Sequence, residues 1–169
     1  MSVTVFTTLG SLKIELFADI SPVACFNFLA LCAEGAYINS IFHRCVPGFI
    51  IQGGDTESVS GRTGSSIVRK SFTPSPTQTL SHDSRGVIAL VLDENKQAGS
   101  QFYITLAALL DLDSSSIIGH LIDGDNTLQE FERLEIDTDY RPLQPPKVTR
   151  IVVHANPFAT GDIEIPKFI

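Results

Sequence analysis

IFHRCVPGFIIQGGD, residues 41–55, carries the densest set of local signals in the chain. Proline presets φ for the second position of a turn and glycine accepts positive φ, so Pro47-Gly48 reads as a tight turn. Short strands should flank it over residues 42–46 and 49–52, each half apolar and rich in aromatic or β-branched residues. Gly53-Gly54 then lets the chain leave the sheet sharply. Strand alternation puts Phe42, Arg44 and Val46 on one face and His43 and Cys45 on the other. An arginine among apolar neighbours has two readings. Its stem can lie over the sheet with the head in water, or its guanidinium can stand at the rim of an apolar pocket made by Phe49 and Ile50, aimed at a ligand carbonyl or amide.

Working outward, residues 3–7 and 12–17 alternate apolar and polar side chains around Leu9-Gly10, the pattern of a β-hairpin with one buried face. Ser21-Pro22 opens a helix that Gly35 stops, and Val23, Phe26, Ala30 and Ala33, widened by Leu29 and Leu31, predict its buried stripe. Residues 56–84 are rich in Ser, Thr, Gly and Pro and read as a long exposed excursion of the functional or mobile kind. GVIALVL, residues 86–92, suits a buried strand, and after the polar turn DENKQAG a further strand covers residues 99–105. Residues 106–113 are a loop or helical turn. Strands over 117–122 and 148–153 bracket a helix at 127–134, capped by Asp125 or Asn126, with Leu128, Phe131 and Leu134 on one face. Residues 1–158 form one domain and 159–169 an appended tail. Many short strands, two helices and no βαβ rhythm argue for an antiparallel, mainly β protein.

At 169 residues the chain can bury one sizeable core. The formal net charge of −7 and the lack of any Lys/Arg run disfavour direct nucleic-acid binding through phosphates. Cys25, Cys32 and Cys45 lack ligand spacing and read as small buried hydrophobes in a reducing compartment. Four histidines, scattered singly, make a metal site an unsupported reading. With no leader pattern and no apolar run long enough for a membrane span, the sequence reads as soluble and intracellular, with no membrane partner.

The opening stretch closely resembles the FHRxxxGFxxQxGD signature of the cyclophilin family of peptidyl-prolyl isomerases, and GSQFYIT, residues 99–105, resembles that family's GSQFFIT strand. The similarity can be followed to about Phe158. It implies a closed eight-stranded antiparallel β-barrel capped by two α-helices, no cofactor, and rotation of Xaa-Pro bonds in partner proteins. Residue by residue it implies Arg44 as the catalytic arginine, and Phe49 and Ile50 as pocket floor. Gln52 and Gln101 hold substrate backbone, and Tyr103 stands where the family usually has Phe, adding a hydroxyl that must find a partner or stay wet. Phe102, alternating away from Gln101 and Tyr103, belongs to the core. Gly61 opens GRTGSSI, which resembles the family's GxGGxSI loop beside bound peptide, with Thr63 in place of one glycine.

Departures from the family pattern trim the peptide-gripping rim. Val91-Leu92 replaces an Ala-Asn pair and removes a side-chain amide. Asp111 beside Leu112 replaces the rim Trp, and Ser115 replaces the rim His. Reduced activity on short peptides and weak or no cyclosporin binding follow as expectations. MSVT, YRPL at 140–143 and HANPF at 154–158 resemble the small nuclear cyclophilin-like proteins of the spliceosome, which implies spliceosomal partners and a nuclear or cytoplasmic location. Two readings stay open at this point: an active isomerase, supported by Arg44, Phe49, Gln52 and Gln101 together, and a catalytically weak proline-peptide-binding module, supported by Leu92, Asp111 and Ser115. A β-domain without ligand would leave Arg44 and both glutamines unexplained.

Overall fold

The computed structural model describes residues 1–75 and 79–168, apart from the side chain of Ser115; Pro76, of the predicted excursion, and Ile169, of the predicted tail, lie outside the described residues. β1 (Ser2–Thr7) and β2 (Gly10–Leu16) form the predicted hairpin, with Val3 facing Ile14 and Val5 facing Leu12. After α1 (Pro22–Ala33) come β3 (Arg44–Val46), β4 (Ile50–Gly53), β5 (Val87–Leu92), β6 (Ala98–Thr105), β7 (Ile117–Asp123), α2 (Asp125–Glu132) and β8 (Val148–Val153). All eight strands pair antiparallel in one curled sheet, ordered β3-β4-β6-β5-β7-β2-β1-β8. Among the described residues no helix is long and apolar enough to cross a membrane.

Full closure of the barrel is corrected at one seam. Among the described residues no ladder joins β8 to β3. Pro142, Pro145 and Pro146 lie just before β8, and proline has no N–H to donate to a ladder. Irregular bonds replace it: an isolated bridge pairs Ile41 with Lys147, Phe42 N–H donates to the Pro146 carbonyl at 2.9 Å, and Cys45 N–H donates to the Tyr140 carbonyl at 2.8 Å.

That seam also explains why Phe42 is not on the face of Arg44. Regular strand begins only at Arg44, and the backbone before it turns Phe42 into the core, where its ring meets Phe131 at 4.8 Å and Phe102 at 6.0 Å. Phe102 also stands edge-on to Phe28 and Tyr37, both at 5.4 Å, a geometry that aligns ring edges with ring faces. Tyr37 buries its hydroxyl by donating to the Ser100 carbonyl at 2.8 Å. This aromatic cluster fixes the inner face of β6, and so the outer face.

The predicted stripe of α1 is rotated in the structure. Ala24, Cys25, Phe28, Leu29, Leu31 and Cys32 are buried, while Val23, Phe26 and Ala30 are half-buried and Ala33 is exposed. The helix is apolar almost all the way round, so periodicity could not select the face that meets β6, β7 and β8. Phe26 finds its cover in the tail. α3 (Pro157–Thr160), capped by the Asn156 side chain, places Phe158 edge-on to Phe26 at 5.2 Å, and Phe168 meets Phe26 and Phe72 at 5.9 and 5.2 Å. α2 starts at Gly124 in a left-handed conformation, with no side-chain cap from the Asp or Asn that the sequence suggested. All three thiols are buried and free, and burial raises Cys25 to about 12 and Cys45 to about 11.

Candidate active site

Strand register assembles the site. Arg44 on β3 is paired with Gln52 on β4, Gln52 with Tyr103 on β6, and Tyr103 with Ala89 on β5. Neighbouring positions Cys45, Ile51, Phe102 and Ile104 point the other way, into the core. One row across adjacent strands therefore presents a guanidinium, an amide and a phenol on the outer face. In front of it lies a groove of about 340 Å³ lined by Arg44, Phe49, Ile50, Gln52, Val91, Leu92, Tyr103 and Leu112. Eight of the residues singled out in the sequence thus meet in one cavity. Among the described residues the Arg44 side chain makes no hydrogen bond or ion pair, which leaves its planar fork of donors for a ligand.

Gln101 and Gly61 stand beside this groove in a second role. The β5–β6 ladder shifts register between Leu90 and Leu92, so the sheet opens at Val91, and Gln101 faces the opening. Its Nε2 donates to the carbonyls of Gly61 at 3.0 Å and Thr63 at 2.7 Å, and its Oε1 accepts from Gln52 Nε2 at 3.1 Å. Both amide hydrogens of Gln101 are thereby used on the 61–63 loop. Gln52 keeps one N–H and its carbonyl oxygen free for the groove. Gly61 takes φ +74°, and a Cβ there would lie 2.2 Å from the His43 ring, so only glycine lets the loop rest on that imidazole.

Asp55 holds the same loop from beneath. Its carboxylate accepts from the backbone N–H groups of Glu57, Ser58, Gly61 and Thr63 and from the hydroxyls of Ser58 and Thr63. Burial alone would raise this acid. The Thr63 hydroxyl and the amides of Ser58, Glu57 and Thr63 outweigh it and hold the carboxyl well below the usual carboxylate range. GGD in the opening stretch is thus an anchor for the excursion that follows it, and Gln101 reads the anchored loop.

Tyr103 solves its hydroxyl problem with a residue the sequence did not suggest. The phenol is hydrogen-bonded to His82 Nε2 at 2.8 Å, with the rings stacked at 5.7 Å. His82 is buried, which lowers its pKa and keeps the ring neutral, while burial pushes Tyr103 up to about 12. Tyr103→Phe would leave a buried imidazole nitrogen without its partner. It should lower unfolding free energy by roughly 1–2 kcal/mol in urea titrations, and an unchanged midpoint would show that His82 had found another bond. The signal was present as a rule: a phenol on a half-buried face needs a partner. The lone His82 carried no mark of being that partner.

At the rim, Ser116 lines the groove, at the end of a short 3₁₀ turn over Ser114–Ser116 that the sequence did not indicate. The side chain of Ser115, placed at the rim by sequence, lies outside the described part of the molecule. Lys96 also lines the groove unforeseen, its ammonium 2.6 Å from Asp113 Oδ2. Residue types alone could not mark it, because a left-handed turn residue at φ +61° brings it there.

The model of the family described as cyclophilin type peptidyl-prolyl cis-trans isomerase/CLD matches residues 2–153. The chain belongs to the cyclophilin family. This cyclophilin is 44% identical over 160 residues to peptidyl-prolyl cis-trans isomerase 10 of Caenorhabditis elegans, covering 94% of this chain and 99% of the relative. It is 43% identical over 161 residues to the human peptidyl-prolyl cis-trans isomerase-like 3, with the same coverage of 94% and 99%. The crystal structure of a cyclophilin type isomerase from Cryptosporidium parvum, determined in the presence of the dipeptide Ala-Pro, superposes with a TM-score of 0.86 at 40% identity, covering 92% of this chain and 100% of that one. The cyclophilin described here is accordingly a peptidyl-prolyl cis-trans isomerase. Such an enzyme has to lower a barrier of roughly 18–20 kcal/mol that arises from amide resonance.

Proposed function

We propose that this cyclophilin isomerises Xaa-Pro bonds in the groove bounded by Arg44, with the prolyl ring seated on Phe49, Ile50, Tyr103 and Leu112. The row of Arg44, Gln52 and Tyr103 across three paired strands carries this reading. Rotation breaks resonance and pyramidalises the prolyl nitrogen. An uncommitted guanidinium beside that atom donates more strongly to the twisted amide than to the planar one, which is the differential binding catalysis requires. Gln52 grips the carbonyl next to the rotating bond with the donor and acceptor it has left. Val91 and Leu92 offer backbone where the ladder opens, and peptide running past the slot enters a second cavity of about 400 Å³ that shares those two residues and is lined also by Gln101. Gly61, and the rim position first read at Ser115, border this path.

A weaker, binding-only role is favoured by one observation: Leu92 brings no side-chain amide to the opening at Val91. The two readings separate on titration with Ala-Pro-containing peptide. Shifts at Phe49, Gln52 and Tyr103 with exchange broadening of the cis and trans signals support the isomerase. The same shifts without acceleration support the binding module. Cyclosporin should bind weakly or not at all by calorimetry, since Asp111 is absent from the groove lining where an aromatic rim would stand; sub-micromolar binding would refute the trimmed-rim argument.

A place among spliceosomal proteins, in the nucleus or cytoplasm, rests on the resemblance of residues 140–143 and 154–158. Of those segments the first exposes large apolar side chains, Tyr140 and Leu143, whereas in the second Phe158 is buried, Asn156 is spent on capping α3, and the exposed residues are His154 and Ala155. Loss of co-purification with splicing factors on Tyr140→Ser/Leu143→Ser, with isomerase activity retained, is the test.

A further inference from the structure

We infer that the second cavity selects substrates that carry an anionic side chain within two residues of the proline. The inference rests on the reading that peptide leaves the prolyl slot across Val91 and Leu92. Those two residues and Asp93 line both cavities, so the step between them is short, and two extended residues span roughly 7 Å.

The two cavities differ in chemistry. Arg62, Arg69 and Lys70 border the second, three cations gathered in a chain whose formal net charge is −7. Two acids, Glu57 and Asp93, share the cavity, and both are occupied by backbone. Glu57 accepts from Ser65 N–H at 2.9 Å, and Asp93 from the N–H groups of Asn95 and Gln97, each at 2.8 Å. The cations have no comparable engagement. Arg69 meets Glu34 only at 3.8 Å, with both side chains more than half exposed, and among the described residues the side chains of Arg62 and Lys70 have no hydrogen-bond or ion-pair partner. Arg69 is held at φ +60°, a conformation rare for a side-chain-bearing residue, which sets the direction in which its stem leaves the loop. The loop segment of Arg62 is fixed by Asp55 and Gln101, and that of Arg69 and Lys70 by Asn27 Oδ1, which accepts from Ile67 N–H, by the Ser66 carbonyl, which accepts from Arg69 N–H, and by the Ser66 hydroxyl, which donates to the Lys70 carbonyl. An incoming carboxylate or phosphomonoester would therefore meet cations on an ordered wall, without first breaking strong internal pairs.

The test compares capped Ala-Glu-Ala-Pro-Ala with its Gln counterpart by NMR exchange spectroscopy, together with a pair bearing Glu or Gln two residues after proline. A phosphoserine peptide serves to tell phosphate from carboxylate. Exposed ion pairs are individually weak, so kcat/KM for the better-placed Glu peptide should exceed its Gln partner by about three- to fivefold at low salt. The ratio should fall toward one in about 0.5 M NaCl. It should also fall toward one in the triple variant Arg62→Gln/Arg69→Gln/Lys70→Gln, each protein serving as its own reference through the Gln peptide. A ratio of one in the wild type, or a preference that survives the triple replacement, overturns the proposal. Amide shifts separate its failure from that of the underlying reading. Movement at Gly64 and Val91 with a ratio of one removes only the anionic preference. Movement confined to Phe49, Gln52 and Tyr103 with every peptide shows that substrate does not enter the second cavity, and both fall together.

Discussion

Arg44→Ala should lower kcat/KM for an Ala-Pro peptide by about a hundredfold, ~2.7 kcal/mol of transition-state stabilisation, with peptide affinity changed by less than about threefold. The asymmetry follows from what the guanidinium touches. It has no partner within the protein among the described residues, so its removal orphans nothing, and the unfolding midpoint should stay within roughly 0.5 kcal/mol of the wild type. The prolyl slot keeps its apolar floor, so ground-state binding persists. Arg44→Lys should recover only part of the loss, because an ammonium cannot follow the nitrogen and the carbonyl with two parallel donors. A fall below about threefold in kcat/KM for Arg44→Ala would place the catalytic donor elsewhere in the row.

Asp55→Asn should be the most destabilising single-atom exchange near the groove. The carboxylate accepts from four backbone amides and two hydroxyls. An asparagine amide would turn two hydrogens toward those same donors. Charge-assisted bonds are roughly twice as strong as neutral ones, so a loss of about 3 kcal/mol is expected, or roughly 6–12 °C in Tm. The pH dependence has a definite sign. The folded carboxyl is held below its unfolded value near 3.9, so its contribution is complete above that value and disappears as pH falls through the lower, folded one. The gap between wild type and Asp55→Asn should therefore be constant from about pH 5 to 7 and shrink below about pH 4. A gap that persists undiminished to pH 2 would mean that the bonds are not those of an ionised acid. Because Gln101 donates to the Gly61 and Thr63 carbonyls, the same variant should also raise KM for peptides that reach past the slot.

Where sequence and structure agree, one physical rule acted alone. Alternation put Phe102 inside and Gln101 and Tyr103 outside, because a regular strand has no other choice. The same rule failed for Phe42, which precedes the first regular residue of β3 and follows the proline-imposed seam instead. Periodicity failed for α1, whose apolar surface is too broad to show which side meets the sheet and which the tail covers. The groove residues were legible because paired strands bring them into register. Asp55, His82 and Lys96 were not, since each acts through a partner that no pattern in the sequence joins to it: Asp55 through the loop two to eight residues on, His82 through a phenol 21 residues on, Lys96 through a left-handed turn that sets it against Asp113, 17 residues on.

The seam between β8 and β3 has a consequence for an enzyme that acts on peptide bonds of other chains. An open sheet edge is a template on which any extended segment can crystallise into an extra strand, and such a segment is what an isomerase handles. Here the prolines before β8 carry no donors, and the exposed edge of β3 is already stitched to residues 140–146 by scattered bonds. The groove stays open to an extended peptide, while the backbone groups at the seam that could template an extra strand are already bonded within the chain.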